Sequence, residues 1–138
     1  MIIFIDENMP KMLAEGFNIL QEPENYRLDL KDKIVVKSIK NEFKGALDEV
    51  WIPEVGKLNS CVITQDYNIN RIRHQKSLCD KYKLGMFYFR PPSKTGFAYW
   101  DMVKLLAKHW EEITKAATKK KRPFSYKVTS KSTKLEAL

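Results

Sequence analysis

Two cysteines and five glycines in 138 residues leave little material for several common kinds of site. The thiols of Cys61 and Cys79 are too few for a disulfide framework, so we expect both to be free. The glycine-rich signatures G-x-x-x-x-G-K-[ST], G-x-G-x-x-G and G-x-S-x-G do not occur. Their absence argues against a P-loop NTPase, a Rossmann dinucleotide site and the nucleophile elbow of an α/β-hydrolase.

Long apolar runs are also missing. No stretch of about 18 apolar residues exists to span a bilayer, and Met1 leads directly into a strand pattern without a basic leader or a cleavage site. We therefore expect a cytoplasmic protein without a membrane partner. Because 43% of the 138 residues are hydrophobic, the chain can bury one core but not two.

The formal net charge of +8 is unevenly distributed. Residues 71–94 and residues 119–138 each carry seven basic residues against one acidic residue, so the rest of the chain is net acidic. Basic segments beside an acidic cluster suit a metal-dependent enzyme that acts on a polyanion, because cations hold phosphates while carboxylates hold the metal.

Apolar periodicity predicts strands that alternate with helices, which implies a parallel sheet covered by helices. In the second helix we expect a break near Ile52, because Pro53 and Gly56 interrupt the pattern. The predicted strands are 2–6, 34–36, 61–64 and 86–89, and the predicted helices are 9–21, 42–58, 71–83 and 98–118. Inward-facing candidates are Met12, Leu13, Phe17 and Leu20 in the first helix, and Trp100, Val103, Leu106, Ala107, Trp110 and Ile113 in the last.

The C-terminal residues differ from the rest. Residues 119–138 lack apolar periodicity of consequence, so we divide the chain into a domain at 1–118 and a basic extension at 119–138. Within the extension, residues 124–128 alternate between apolar and polar side chains. This segment either adds an edge strand or becomes ordered on binding.

A carboxylate follows each of two predicted strands. Ile2-Ile3-Phe4-Ile5 runs into Asp6-Glu7-Asn8, and Cys61-Val62-Ile63-Thr64 runs into Gln65-Asp66-Tyr67-Asn68. In an open α/β sheet, side chains just past the carboxyl ends of strands converge on one crevice, where ligands and metals bind. Two acids there predict a site for a hard cation.

The order of these motifs resembles the small PIN-like domains, relatives of the ribonuclease toxins of toxin–antitoxin pairs. The motifs are the apolar strand before Asp6-Glu7-Asn8-x-Pro10, the acidic step Asp48-Glu49, and Val62-Ile63-Thr64-x-Asp66. The resemblance covers roughly residues 1–115 and implies a three-layer α/β/α fold around a mainly parallel sheet of four or five strands. It also implies that acids at the strand ends bind Mg²⁺ or Mn²⁺ and activate water to cut RNA.

By position, Asp6 matches the first acid of that family, Asp48 or Glu49 the helix acid, and Asp66 the acid of the T-x-D motif. The chain departs from the pattern two residues later, where Asn68 offers a carbonyl oxygen without charge. The predicted catalytic residues are Asp6, Asp48 and Asp66, and the predicted metal ligands are Asp6, Asp48, Glu49, Asp66 and Asn68. The predicted RNA contacts are Arg71, Arg73, His74, Lys76, Arg90, Lys94, Lys120, Lys121 and Arg122.

Two other functions stay open. The first is a PIN-like protein that binds RNA without cutting it, its site impaired by Asn68. The second is a receiver domain that accepts a phosphoryl group, suggested by Asp6-Glu7 and Arg90-Pro91, although Arg replaces the expected Lys. The expected partners are RNA, an antitoxin that masks the site, for which the strand at 124–128 is one place, and a second copy of the chain. We expect Trp100 and Trp110 to be core, so Tyr67 and Tyr88 are the better candidates for base stacking.

Overall fold

Six strands form one sheet at the centre of the computed structural model, which describes residues 1–66 and 68–138. The strand order is β2-β1-β3-β4-β5-β6, and only the pairing of β5 with β6 is antiparallel. The predicted α/β class with a mainly parallel sheet is confirmed, and the sheet has more strands than the four or five expected. The strands are β1 (Ile2–Ile5), β2 (Val35–Ser38), β3 (Cys61–Gln65), β4 (Gly85–Arg90), β5 (Phe124–Thr129) and β6 (Glu136–Ala137).

Helices cover both faces of this sheet, as a three-layer fold requires. Side chains alternate along each strand, so in β1 Ile3 and Ile5 point to one face and Phe4 to the other. The first face packs against α1 (Lys11–Asn25) and α5 (Tyr99–Lys119). The second packs against α2 (Ile39–Glu42), α3 (Asp48–Lys57) and α4 (Ile69–Lys81). A short 3₁₀ turn lies at Leu30–Asp32.

The first helix is longer than predicted and buries a different stripe. Pro23 lies inside α1, which ends at Asn25 and not near residue 21. Leu13 and Phe17 are buried as expected, but Met12 and Leu20 are 55% and 66% exposed. The face of α1 that packs on the sheet is narrower than the predicted apolar stripe. Ala14 and Gln21 are buried on this face in place of Met12 and Leu20.

The break expected near Ile52 does not occur. Helix α3 is continuous through Pro53 from Asp48 to Lys57. Proline removes one helical hydrogen bond, but Trp51, Ile52 and Val55 are almost fully buried against the sheet. This packing holds the helix together, because burial of each large apolar side chain contributes about 1.5–3 kcal/mol.

The predicted core stripe of the last helix is also partly wrong. Leu106 and Ile113 are fully buried in α5, whereas Trp100 is 69% exposed and Ala107 is exposed. Trp110 is half-buried and donates a hydrogen bond from Nε1 to Gln21 Oε1 at 2.8 Å. Buried His109 takes one of the inward positions that the apolar pattern left unassigned.

The C-terminal segment continues the sheet. Strand β5 pairs in parallel with β4 along its whole length, from Gly85 opposite Phe124 to Arg90 opposite Thr129. Val128 is fully buried in the same core as α1 and α5. Residues 124–129 of the predicted basic extension therefore belong to the same sheet as the rest of the chain.

Helix α1 closes the outer edge of β2. The Asn25 side chain accepts a hydrogen bond from the Ile34 amide at 3.0 Å and donates one to the Ile34 carbonyl at 2.8 Å. Asn18 Oδ1 accepts from the Val36 amide at 2.9 Å. These asparagines occupy backbone groups that would otherwise be open to another strand.

Candidate metal and nucleic-acid site

Two of the predicted acids lie at the carboxyl edge of the sheet, on the face covered by α3 and α4. The Asp6 amide donates to the Ile63 carbonyl at 2.9 Å, and the Asp66 amide donates to the Phe89 carbonyl at 3.1 Å. Each acid therefore extends its own strand by one residue. Because β1 and β3 are parallel neighbours, both side chains face the same corner, which we call the acid corner and define by Asp6 and Asp66.

Asp6 is the more constrained of the two acids. Only 3% of the residue is exposed, and its carboxylate accepts hydrogen bonds from Thr64 Oγ1 and the Glu7 amide, both at 2.7 Å. Burial raises the pKa of Asp6 above its ordinary value, and the charge of Asp48 raises it further. The two hydrogen bonds and the charge of Arg71 oppose this rise. A positive charge placed here would stabilise the ionised carboxylate.

Asp66 retains a buried oxygen atom without a hydrogen bond. Its Oδ1 accepts from the Asn68 amide at 2.8 Å. Its Oδ2 lies 3.4 Å from Arg71 Nε, an ion pair, yet has no hydrogen-bond partner in the part of the chain that the structure describes. A buried carboxylate oxygen without a hydrogen bond is costly unless a ligand or water binds it.

The two candidate helix acids have separate surroundings, although both lie in the first turn of α3. Asp48 accepts hydrogen bonds from Trp51 Nε1 at 3.0 Å and from Gln75 Nε2 at 3.1 Å. Glu49 Oε1 lies 2.9 Å from His74 Nε2, and both side chains are exposed. The pKa of Glu49 is lowered by its own backbone amide and then by His74. Of the two acids, Asp48 is the one whose charge acts on Asp6.

Asn68 serves as the N-cap of α4. Its Oδ1 accepts hydrogen bonds from the amides of Asn70 at 3.0 Å and Arg71 at 3.2 Å. This is the usual role of Asn at a helix start. The carbonyl oxygen predicted to bind a metal is engaged in the cap, so its role as a ligand stays a prediction.

The donor set fits a divalent ion that needs few protein ligands. Within residues 1–66 and 68–138, no three His, Cys, Asp or Glu side chains are close enough together to hold a metal ion. Mg²⁺ is commonly bound through one or two carboxylates and completes its shell with waters and substrate phosphates. The acid corner offers two carboxylates, and one buried oxygen of Asp66 has the Arg71 ion pair but no hydrogen bond among the described residues. These residues therefore fit Mg²⁺ or Mn²⁺, with Asp48 as a nearby third charge.

A polar network that the sequence analysis missed joins the two strand ends. Asn8 Nδ2 donates to Thr64 Oγ1 at 3.1 Å and to the Gln65 carbonyl at 2.5 Å. Gln65 Nε2 donates in return to the Asn8 carbonyl at 2.7 Å. This network orients Thr64, which holds Asp6. The only sequence signal for it was the run of polar residues directly after each strand.

Tyr88 cannot stack on a base, contrary to expectation. It is fully buried, and burial raises the pKa of its hydroxyl, with smaller contributions from nearby negative groups that include Asp48 and Asp66. Tyr88 is opposite Thr64 in the register of β3 and β4, and its ring is buried on the same face of the sheet as the acid corner. The other predicted stacking residue, Tyr67, lies outside the described residues.

The predicted cations fall into two groups on opposite edges of the sheet. Arg71, Arg73 and Lys76 lie on α4, which begins beside the acid corner, and Lys76 pairs with Asp80 at 3.0 Å. Arg90 and Lys94 follow at and beyond the end of β4, at the same edge. Lys120, Lys121 and Arg122 instead precede β5 and lie at the amino edge, where Arg122 donates a hydrogen bond to the Asn59 side chain.

An α/β/α domain with buried carboxylates after neighbouring parallel strands belongs to the class of proteins that bind ligands at the carboxyl edge of an open sheet. A family model described as a PIN like domain matches residues 1–91, and the chain belongs to the PIN-like domain family. No curated protein and no solved structure gives a significant match.

Membership of this family supports a nuclease-type superfamily, because PIN domains are generally nucleases and usually use divalent metals. The matched segment contains Asp6, Asp48 and Asp66. It ends before α5, so it excludes Lys120, Lys121 and Arg122. In the part of the chain that the structure describes, no helix has the length and apolar character to cross a membrane.

Proposed function

We propose that this protein is a metal-dependent ribonuclease that hydrolyses RNA phosphodiester bonds. The observation that supports it most directly is the acid corner, where Asp6 is buried and Asp66 keeps a buried oxygen without a hydrogen bond. Such groups are unfavourable in a purely structural role, and the family to which the chain belongs is generally nucleolytic. The receiver function has no support from the family match.

Each residue of the acid corner has a role in this proposal. Asp6 and Asp66 would hold Mg²⁺ or Mn²⁺, and Asp48 would add negative charge nearby. When bound, such an ion polarises a phosphodiester and lowers the pKa of a bound water. Thr64 keeps the Asp6 carboxylate in one orientation, and the Asn68 amide does the same for Asp66.

Arg71 is placed to contact both the acid corner and the RNA substrate. Its guanidinium pairs with Asp66 at 3.4 Å, yet half of the side chain is exposed. From this position the exposed part of the Arg71 guanidinium would contact a phosphate of the RNA next to the Asp66 carboxylate. Arg73 lies exposed in the same turn of α4 but points about 200° around the helix axis from Arg71, so it would contact a different phosphate of the RNA.

The test is cleavage of a pool of cellular RNA by the purified protein with Mg²⁺, Mn²⁺ or EDTA. We expect metal-dependent cutting that falls by at least about 100-fold in Asp6→Asn and Asp66→Asn, since each variant removes a ligand charge. Asp29→Asn is the matched control, because Asp29 is exposed in a distant loop. Cutting that persists in EDTA, or in both site variants, would contradict the proposal.

A second candidate function, RNA binding without cleavage, has an observation in its favour. Asn68 caps α4, and no three metal-binding side chains come together within residues 1–66 and 68–138. Tight RNA binding without cutting in any metal, by a protein that binds no Mn²⁺, would establish this function in place of the nuclease.

The proposed cellular role is the toxin of a toxin–antitoxin pair, with RNA and an antitoxin as partners. Expression of the wild-type chain should then arrest cell growth, and the Asp66→Asn variant should not. Strand addition at 124–128 is restricted, because Tyr126 and Lys127 already pair with β6 on the side away from β4. An antitoxin would therefore mask the acid corner more directly. Equal growth of cells that express the wild-type chain and cells that express Asp66→Asn would contradict the toxin role.

A further inference from the structure

Two adjacent aromatic side chains stand out on the surface at the start of α5. Trp100 is 69% exposed and Tyr99 is 40% exposed, and their rings stack with centroids 5.4 Å apart and planes 11° from parallel. The stack cannot be explained as core packing, because Trp100 points away from the buried side of the helix. A large exposed aromatic surface commonly marks a binding site.

The loop that precedes the aromatic pair is hydrogen-bonded to the end of β3. The backbone amide of Phe97 donates a hydrogen bond to Gln65 Oε1 at 3.5 Å. Gly96, at φ 83°, also packs on the Gln65 side chain, so closely that an added Cβ would lie 3.2 Å from Oε1. Gln65 directly precedes Asp66 and bonds to the Asn8 carbonyl. The start of α5 is therefore positioned by the same strand ends that form the acid corner.

The direction of α5 places the pair beside those strand ends. Trp110 contacts Phe17 of α1 with ring centroids 4.8 Å apart, which marks the flank of α5 that faces α1. Tyr99 lies about three turns earlier on the same flank. Helix α1 begins at Lys11, shortly after Asp6, so the aromatic pair lies towards the carboxyl edge of the sheet, on the face opposite the acid corner. An RNA strand that contacts both would cross this edge.

Exposed cations accompany the aromatic pair. Lys94 lies in the same loop and Lys104 follows one turn into α5, and both are exposed. Surfaces that bind single-stranded nucleic acid combine aromatic side chains, on which bases stack, with cations that follow the phosphates. A protein partner would call for a broader apolar patch.

We propose that Trp100, supported by Tyr99, stacks on a base of the single-stranded RNA whose backbone passes the acid corner. This inference rests on the proposed function for its ligand. Tyr99 holds the indole ring parallel to itself, so the outer face of the indole is preorganised for a planar base. The stack contacts any base through its π-face and therefore favours unpaired RNA over duplex RNA.

The test measures RNA binding in EDTA, so that it does not depend on cleavage. The probe is a single-stranded RNA of about 12 nucleotides, within the usual site size for such surfaces, and a matched strand in which abasic sites replace the nucleotides. We expect Trp100→Ala to weaken binding of the intact RNA by about 5- to 150-fold, the range for loss of one base stack. Binding of the abasic strand should not change.

Three further variants separate stacking from other effects. Trp100→Phe should keep most of the affinity, whereas Trp100→Leu, apolar but without a π-face, should lose as much as Trp100→Ala. Tyr26→Ala is the matched control, because Tyr26 is 86% exposed at the far end of α1 and should have no effect. RNA should also quench the tryptophan fluorescence of the wild type more than that of Trp100→Phe, since Trp51 is buried and Trp110 packs on α1 through Phe17 and Gln21.

The inference is overturned if Trp100→Leu binds the intact RNA like the wild type. It is also overturned if Trp100→Ala weakens binding of the abasic strand equally, or changes the oligomeric state while leaving RNA affinity unchanged. Failure of the nuclease proposal looks different, because the base-dependent loss would then persist in EDTA while no metal supports cutting.

Discussion

At the residue scale, Asp6 shows a conflict between stability and the proposed function. The folded chain buries a carboxylate whose ionised form is disfavoured by burial, because its pKa is raised above 3.8. A raised pKa means that the protonated form fits the fold better. The contribution of Asp6 to the free energy of unfolding is therefore fully present below the pKa of the unfolded chain, and it is lost as pH rises through the pKa of the folded protein. At pH 7 the ionised Asp6 carboxylate destabilises the fold in the absence of a cation.

We expect Asp6→Asn to raise the melting temperature of the metal-free protein at pH 7, by about 2–6 °C. The neutral amide avoids the cost of burying a charge, and its oxygen can still accept the hydrogen bond from the Glu7 amide. Thermal unfolding in EDTA measures the effect, with the exposed Asp29→Asn as control. Mg²⁺ should stabilise the wild type more than Asp6→Asn, and an equal response would argue against Asp6 as a ligand.

His109 is a second buried titratable group, remote from the acid corner in sequence and in role. It is 1% exposed on α5. Burial lowers the pKa of His109, as does the charge of Lys108, while Glu112 and a hydrogen bond with the Ser132 backbone oppose the shift. The pKa of His109 in the folded protein therefore lies below 6.5. Its contribution to the free energy of unfolding is fully present above the pKa of the unfolded chain and is lost as pH falls below that value.

The free energy of unfolding should decrease between pH 8 and pH 5.5, and His109→Leu should remove at least half of that decrease. The reason is that leucine has no charge to acquire on acidification. Urea unfolding at the two pH values provides the measurement. His74→Leu is the control, since His74 is exposed. If the free energy of unfolding of His109→Leu depends on pH as strongly as that of the wild type, another group is responsible.

At the scale of elements, tertiary packing overrode two local signals. Pro23 and Pro53 both lie inside helices that local rules would end or break. Proline disrupts an isolated helix, but α3 buries Ile52 before Pro53 and Val55 after it. In α1 the turns before Pro23 bury Phe17 and Gln21, and Asn25 after it bonds to the backbone of Ile34. Propensity is a weak guide wherever such packing is available.

The asparagines of α1 protect the edge of the sheet, and their removal tests this role. Asn25→Ala should lower the free energy of unfolding by about 1–3 kcal/mol, because the amide and carbonyl of Ile34 lose their partners. It should also produce oligomers that increase with concentration, since the β2 edge becomes available.

Chemical denaturation and light scattering measure the two effects of Asn25→Ala. Glu24→Ala is the neighbouring control, because the Glu24 side chain forms an exposed ion pair with Arg27 at 3.9 Å, and such pairs contribute little. A monomeric Asn25→Ala variant as stable as the wild type would show that the edge needs no protection.

At the scale of the whole molecule, the fold separates two groups of basic residues that were both predicted to contact RNA. Arg71 and Arg73 lie by the acid corner, whereas Lys120 and Lys121 lie across the sheet at its amino edge. A strand of six residues spans about 20 Å, so one phosphate cannot contact both groups. The RNA-binding role predicted for Lys120, Lys121 and Arg122 thus concerns a distant part of the RNA.

Lys120→Ala combined with Lys121→Ala should weaken binding of an RNA of about 20 nucleotides and leave a tetranucleotide unaffected, because the short strand spans only about 14 Å when stacked. The loss of two phosphate contacts should reduce the salt slope of binding by about 1.4. Fluorescence anisotropy at several salt concentrations measures both effects.

The matched control is Lys131→Ala combined with Lys134→Ala, which removes the same charge from exposed positions beyond the carboxyl end of β5. Equal effects of the two pairs would indicate an influence of net charge alone. Deletion of residues 119–138 is a poor alternative, since it removes β5 and buried Val128.

Much of the fold and part of the candidate site could be predicted from sequence. The apolar runs of β1, β3 and β4 are nearly uniform because both faces of a parallel strand are buried. Asp6 and Asp66 directly follow β1 and β3 in the sequence. The choice between Asp48 and Glu49 could not be predicted, because neighbouring helical positions point about 100° apart. The roles of Thr64, Gln65 and Gln75 depend on partners distant in the chain.

The sequence by itself determined the layered α/β architecture, the family and the acids at the strand ends, because these depend on local periodicity and on short motifs. Tertiary structure alone decided which acids share a corner, where the basic residues lie and which aromatic side chains face solvent. Trp100 illustrates the difference: helical periodicity allowed it a core position, but the docking of the loop on Gln65 and the orientation of α5 leave it exposed. Orientation between elements depends on long-range contacts, which no local pattern in the sequence records.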